Sequence, residues 1–150
     1  MIASPHTERL RAVIAFYETI AIDTVPQLAE LYAADAWFKD PFNDVAGVAA
    51  IDCIFRHMYA QVDAPRFVVH THVLQDDDAF LTWEFHCTPK GRHGPPLVLR
   101  GATHLRFNAQ GKVAMHRDYW DTSEELYEKL PVIGWLMRAL HRRGAAPHDA

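Results

Sequence analysis

An α+β fold is predicted by three observations. Apolar residues recur at helical spacing up to Met58, β-rich runs take over after Pro65, and the loops between those runs suit antiparallel hairpins. Helices first and a curved antiparallel sheet afterwards form one domain over 1–150. Its core spans about residues 5–122, and a helical extension follows over 123–143.

Each element has its own signal. Ser4 followed by Pro5 reads as an N-cap and first helical position, and Leu10, Val13, Ile14, Tyr17 and Ala21 give the first helix its apolar stripe. Thr24 and Gln27 form a capping box for a short second helix through Tyr32. A strand from Ala36 to Asp40 is stopped by Pro41. Gly47 precedes a third helix whose stripe holds Val48, Ile51, Phe55 and Met58. Four strands follow, Phe67 to Leu74, Phe80 to Cys87, Leu97 to Phe107 and Val113 to Trp120. In the second of these, Leu81, Trp83, Phe85 and Cys87 alternate with polar residues, so one face meets a core. Thr122 and Glu125 cap a further helix, and Pro131 opens another that ends near Arg143.

Composition narrows the function. With 49% hydrophobic and 23% charged residues the chain is an ordinary globular one. A net charge of −4 with scattered basic residues argues against nucleic acid as a partner. No apolar run approaches the roughly 20 residues that span a bilayer, and no secretory signal is visible. Cys53 and Cys87 form no CxxC pair and read as small buried hydrophobes, so a cytoplasmic setting is expected. The final segment, with Val132, Ile133, Trp135, Leu136, Met137 and Leu140, is amphipathic and basic at its end. Such a helix suits a membrane surface, but more often packs on its own domain or across a dimer. The expectation is accordingly no membrane partner.

The stretch "AWFKDPF", residues 36–42, places a carboxylate among large aromatics. Asp40 caps the turn at Pro41, or it lines a pocket walled by Trp37, Phe38 and Phe42. Apolar walls would remove water from it and suit it to act as a base near neutral pH. Tyr17 lies on the buried face of the first helix, where its hydroxyl needs a partner. His116 and Asp118 share a strand parity and can hydrogen-bond on one face. His70 and His72 also share a face, but a zinc site needs a converging third ligand, and His86 or His104 alone makes a weak case. No metal is expected.

The local motifs carry a resemblance. Phe16-Tyr17, "YAADAWFKDPF" at 32–42 and "THLRFNAQGKV" at 103–113 resemble ketosteroid isomerase. "HRDYWD" at 116–121 is similar to the closing strand of SnoaL-like cyclases and limonene-epoxide hydrolase relatives. Together they mark a member of the nuclear transport factor 2-like superfamily. That resemblance implies a cone-shaped sheet wrapped around the helices, a deep apolar pocket, a homodimer and no cofactor. Carried over by position, it implies a base at Asp40, a tyrosine donor at Tyr17, and Thr103 where the isomerase has a protonated acid. It also puts His116, Asp118 and Trp120 on the pocket side of the last strand. The expected catalytic set is Asp40, Tyr17, Asp118 and His116. The expected pocket lining is Trp37, Phe38, Phe42, Phe55, Met58, Trp83, Phe85, Thr103 and Trp120. A small apolar molecule is the expected ligand, for an isomerase or cyclase, or for a non-catalytic binding domain. An epoxide hydrolase or dehydratase ranks third, and for the hydrolase Arg100, Gly101 and Ala102 do not supply the Arg-x-Asp it needs.

Overall fold

The first helix starts later than the Ser4-Pro5 signal suggests. In a computed structural model, which describes residues 4–91, 96–129 and 133–144, α1 runs Thr7–Glu18 with His6 at its N-cap. Ser4 closes the turn before it, its carbonyl accepting from the Thr7 backbone N–H and hydroxyl. Leu10, Val13, Phe16 and Tyr17 form the buried face. A 3₁₀ turn at Val25–Gln27 leads to α2, Leu28–Leu31. Thr24 does not cap it; the Thr24 hydroxyl instead closes the loop on Ala21.

Strand β1, Tyr32–Lys39, begins earlier than expected, and the short β2, Asp44–Ala46, was not anticipated. Helix α3, Val48–Gln61, passes directly into β3, Val62–Gln75. Pro65 therefore sits within a strand rather than before one. Edge position explains the tolerance, because β3 ends the sheet and Pro removes no shared ladder bond there. Strands β4, Asp78–Pro89, β5, Leu97–Phe107, and β6, Val113–Tyr119, complete the sheet.

The sheet order is β2-β1-β6-β5-β4-β3. It is antiparallel except at one seam, where β1 runs parallel to β6 and pairs Phe38 with His116. The four long strands β3 to β6 are antiparallel, as expected, and the parallel seam is where β1 joins them. Helix α1 packs against β3 and α3 against β1, so the helices fill the concave face. Leu10, Val13, Leu28, Tyr32, Ile51, Leu105 and Val113 are all but fully buried between these layers. Full burial of each such aliphatic residue contributes roughly 1.5–3 kcal/mol.

Beyond β6, Asp121 rather than Thr122 caps α4, Thr122–Glu125, accepting from the Ser123 and Glu124 N–H groups. A 3₁₀ turn, Tyr127–Lys129, precedes α5, Ile133–Gly144. Pro131 lies outside the described residues. Cys87 is buried as expected, but Cys53 is exposed on α3. Among the described residues no helix is long and apolar enough to cross a membrane.

Candidate functional site

A cavity of about 380 Å³ opens between α1, α3 and the concave face of the sheet. That lies within the roughly 300–1,000 Å³ typical of small-molecule sites. Its walls are largely apolar: Ile54, Phe67, Leu81 and Leu99 join Phe38, Phe55, Met58, Trp83 and Phe85. One polar cluster forms where Tyr17, Thr103, His116 and Asp118 meet, with Asp40 and Asn43 beside them, and His57 and Gln61 line the cavity from α3.

Strand register builds this polar end. Thr103 and Asp118 are direct cross-strand partners, and Thr103 donates to Asp118 Oδ1 at 2.5 Å. Two residues back along β6, on the same face, His116 Nε2 lies 2.8 Å from that same oxygen. Behind His116, the Tyr32 hydroxyl is 2.7 Å from Nδ1, and the Tyr17 hydroxyl is 2.5 Å from that of Tyr32. At the other end the Trp83 indole N–H donates to Thr103 Oγ1 at 2.8 Å.

One proton arrangement satisfies every member. Nε2–H of a neutral His116 donates to Asp118, Nδ1 accepts from Tyr32, and Tyr32 accepts from Tyr17. Burial pushes both tyrosine hydroxyls well above the ordinary phenol range, and the nearby Asp118 carboxylate pushes them further, so they remain donors. Asp118 Oδ2 has no partner among the described residues. Its side chain lines the cavity and is 19% exposed.

This pair of tyrosines predicts an alkaline weakness. The unfolded chain releases its phenolic protons near 10.0, the ordinary tyrosine value, whereas the folded chain keeps them. Their contribution is therefore full below that value and is lost as pH rises above it toward the raised folded values. Urea midpoints measured on both sides of it should fall in wild type, and fall less steeply in Tyr32→Phe. Equal slopes would show that the buried pair does not retain its protons.

Asp40 is held differently. Its Oδ1 accepts from the Phe42 and Asn43 backbone N–H groups at 2.7 and 2.6 Å, and the Asn43 side-chain amide reaches both carboxylate oxygens at 3.0 Å. The carboxylate thus closes the turn after β1 while also lining the cavity, so both readings of "AWFKDPF" apply to it. Phe42 is exposed and packs edge-on with Trp120 at the cavity. Trp37 does not line it. Strand alternation turns the Trp37 ring to the other face, where its N–H donates to Asp44.

Asp40, Tyr17, His116 and Asp118 are thus gathered at one cavity, with every expected lining residue except Trp37. Tyr32 is a further member of the polar chain; a bulge between Tyr32 and Trp37 interrupts the alternation of β1, so no local period points to it. Of the histidines weighed as metal ligands, His70 and His86 approach Glu84 and His104 meets Asp78 at 2.6 Å. Among the described residues no three potential ligands converge on a metal position.

A model of the SnoaL-like domain matches residues 13–116. A protein of ketosteroid isomerase-like fold from Catenulispora acidiphila, solved with trimethylamine, is 20% identical. The match covers 83% of this chain and 92% of that one, with a TM-score of 0.69. A candidate polyketide cyclase from Pseudomonas putida is 16% identical over 84% of this chain and 98% of that one, with a TM-score of 0.70. An LEH-like epoxide hydrolase from M. tuberculosis is 15% identical over 90% of this chain and 97% of that one, with a TM-score of 0.67. No curated protein sequence matches the chain. At these identities the structural likenesses establish the fold.

Proposed function

The chain belongs to the SnoaL-like domain family, and from that premise we propose that it binds a small, largely apolar molecule and moves a proton on it without a cofactor, with Asp118 as the base. The observation that carries this reading is the asymmetry of the Asp118 carboxylate. Two donors fix Oδ1, while Oδ2 is left to the cavity. Fixing one oxygen orients the other, and orientation is a large part of what a base needs. In this reading Asp118 Oδ2 takes a proton from a carbon next to a ligand carbonyl. The electron pair moves toward the carbonyl oxygen, and the proton returns at another atom of the same ligand. His116 and Thr103 hold the base, and Tyr17 is the hydroxyl placed to turn toward the developing oxyanion.

A non-catalytic binding role is favoured by one specific observation. Thr103, which stands where the resemblance puts the isomerases' acid, spends its hydroxyl proton on Asp118. Small apolar ketones and enones incubated with the protein in deuterium oxide separate the two readings. Exchange at the carbon beside the carbonyl, followed by NMR and dependent on Asp118, supports the base. Ligand binding without exchange supports the binding module.

A homodimer through the outer face of the sheet is part of the same proposal. Val73, Phe80 and Tyr119 are exposed on that face, and His104 and Arg106 are fixed there by Asp78. Sedimentation should give a dimer at micromolar concentration, and Phe80→Glu should shift it to monomer. A wild-type monomer under those conditions would remove this part of the reading.

A further inference from the structure

The cavity gives no role to α5, which lies beyond the segment matched by the family model. The helix docks on the preceding 3₁₀ turn through its small and polar side. A β-carbon on Gly134 would lie 2.5 Å from the Glu128 carbonyl oxygen, so only glycine allows this approach. Arg138 donates to that same oxygen at 2.5 Å, and His141 meets the Glu128 carboxylate at 3.1 Å.

Docking in this orientation turns the apolar residues outward. Ile133, Leu136 and Leu140 are 47%, 48% and 51% exposed, and Trp135 is 66% exposed. Ile133, Leu136 and Leu140 recur at helical spacing and form one stripe. A helix on a globular surface ordinarily turns such a stripe inward. The helix's own charges have a single sign: the last turn holds His141, Arg142 and Arg143, and the first turn holds no acid, while Glu128 at its root is taken up by His141. A second copy pairing antiparallel would therefore bring no acid opposite the basic end. A surface that is anionic outside and apolar beneath complements both features at once.

We propose that α5 is a reversible anchor lying in the interface of an anionic lipid membrane. This revises the expectation of no membrane partner, which rested on such a helix more often packing on its own domain or across a dimer. The root of the helix explains what such an anchor would achieve. Lys129 ties the 3₁₀ turn to β5 by donating to the Val98 carbonyl at 3.0 Å, and Leu126 lines the cavity beside Leu97 and Leu99. A seated α5 therefore holds the aliphatic end of the cavity close to the lipid.

The test uses the full chain and sedimentation with vesicles of phosphatidylcholine, with or without phosphatidylglycerol. Wild type is expected to bind the phosphatidylglycerol vesicles and not the neutral ones. Arg142→Gln with Arg143→Gln should weaken that binding roughly 30-fold, and Leu136→Asp with Leu140→Asp should abolish it. Circular dichroism of each variant checks that the domain remains folded. Failure of wild type to bind anionic vesicles overturns the proposal, as does unchanged binding by the Leu136→Asp, Leu140→Asp variant. If that variant instead dissociates an oligomer that ignores vesicles, the stripe belongs to a second copy and the proposal falls.

Discussion

Gly101→Ala is expected to destabilise the protein by about 1–3 kcal/mol, and Gly101→Val by more, although neither adds or removes a polar group. Gly101 is the cross-strand partner of Trp83, whose indole lies where a β-carbon would project. The backbone there is ordinary, so the whole cost is steric. Either the ring shifts or the strands part, and a shifted ring gives up its bond to Thr103. Thr103 is one of the two donors that fix Asp118, so damage at an outwardly inert glycine reaches the polar end of the cavity. Urea midpoints and the near-ultraviolet dichroism of tryptophan measure both effects. An alanine variant matching wild type in both would mean that the ring does not pack on this strand.

Asp118→Asn is expected to lower any proton-transfer rate by about 10²–10⁴-fold while leaving the fold intact. An asparagine carbonyl can still accept from Thr103 and His116 in place of Oδ1. Its amide nitrogen then occupies the position of Oδ2 and cannot accept a proton. Asp40→Asn is the informative contrast. The turn needs an acceptor for the Phe42 and Asn43 N–H groups, and an amide oxygen supplies one. That variant should retain most of the rate. The reverse pattern, with Asp40→Asn inert and Asp118→Asn active, would move the base to the turn.

The fold was legible in the sequence because its signals are local. The stripe through Leu10, Val13 and Tyr17 and the alternation at Leu81, Trp83 and Phe85 each follow from one element's period. The parallel seam between β1 and β6 was not, since no local period records which distant strand will be a neighbour. The same limit governed the site. His116 and Asp118 could be paired from their spacing alone, but Tyr32 joins them only through the fold. Trp37 shows the converse error, because proximity to Asp40 in sequence suggested a shared pocket that strand alternation denies. Asp40 kept two meanings to the end: turn geometry and cavity lining use the same carboxylate.

The parallel seam also fixes when the molecule can be finished. Strands β3, β4 and β5 are joined in sequence by hairpin contacts, which close quickly because little chain entropy is lost. Tyr32 pairs with Val113 and Phe38 with His116, so β1 waits for a strand made far later in synthesis. Until β6 leaves the ribosome, β1 has only the short β2 beside it and a bare apolar edge. The bond from Tyr32 to His116 crosses this last seam. No chain that lacks β6 or leaves this seam open can therefore carry the site, and the interval before closure is when the chain is most open to aggregation.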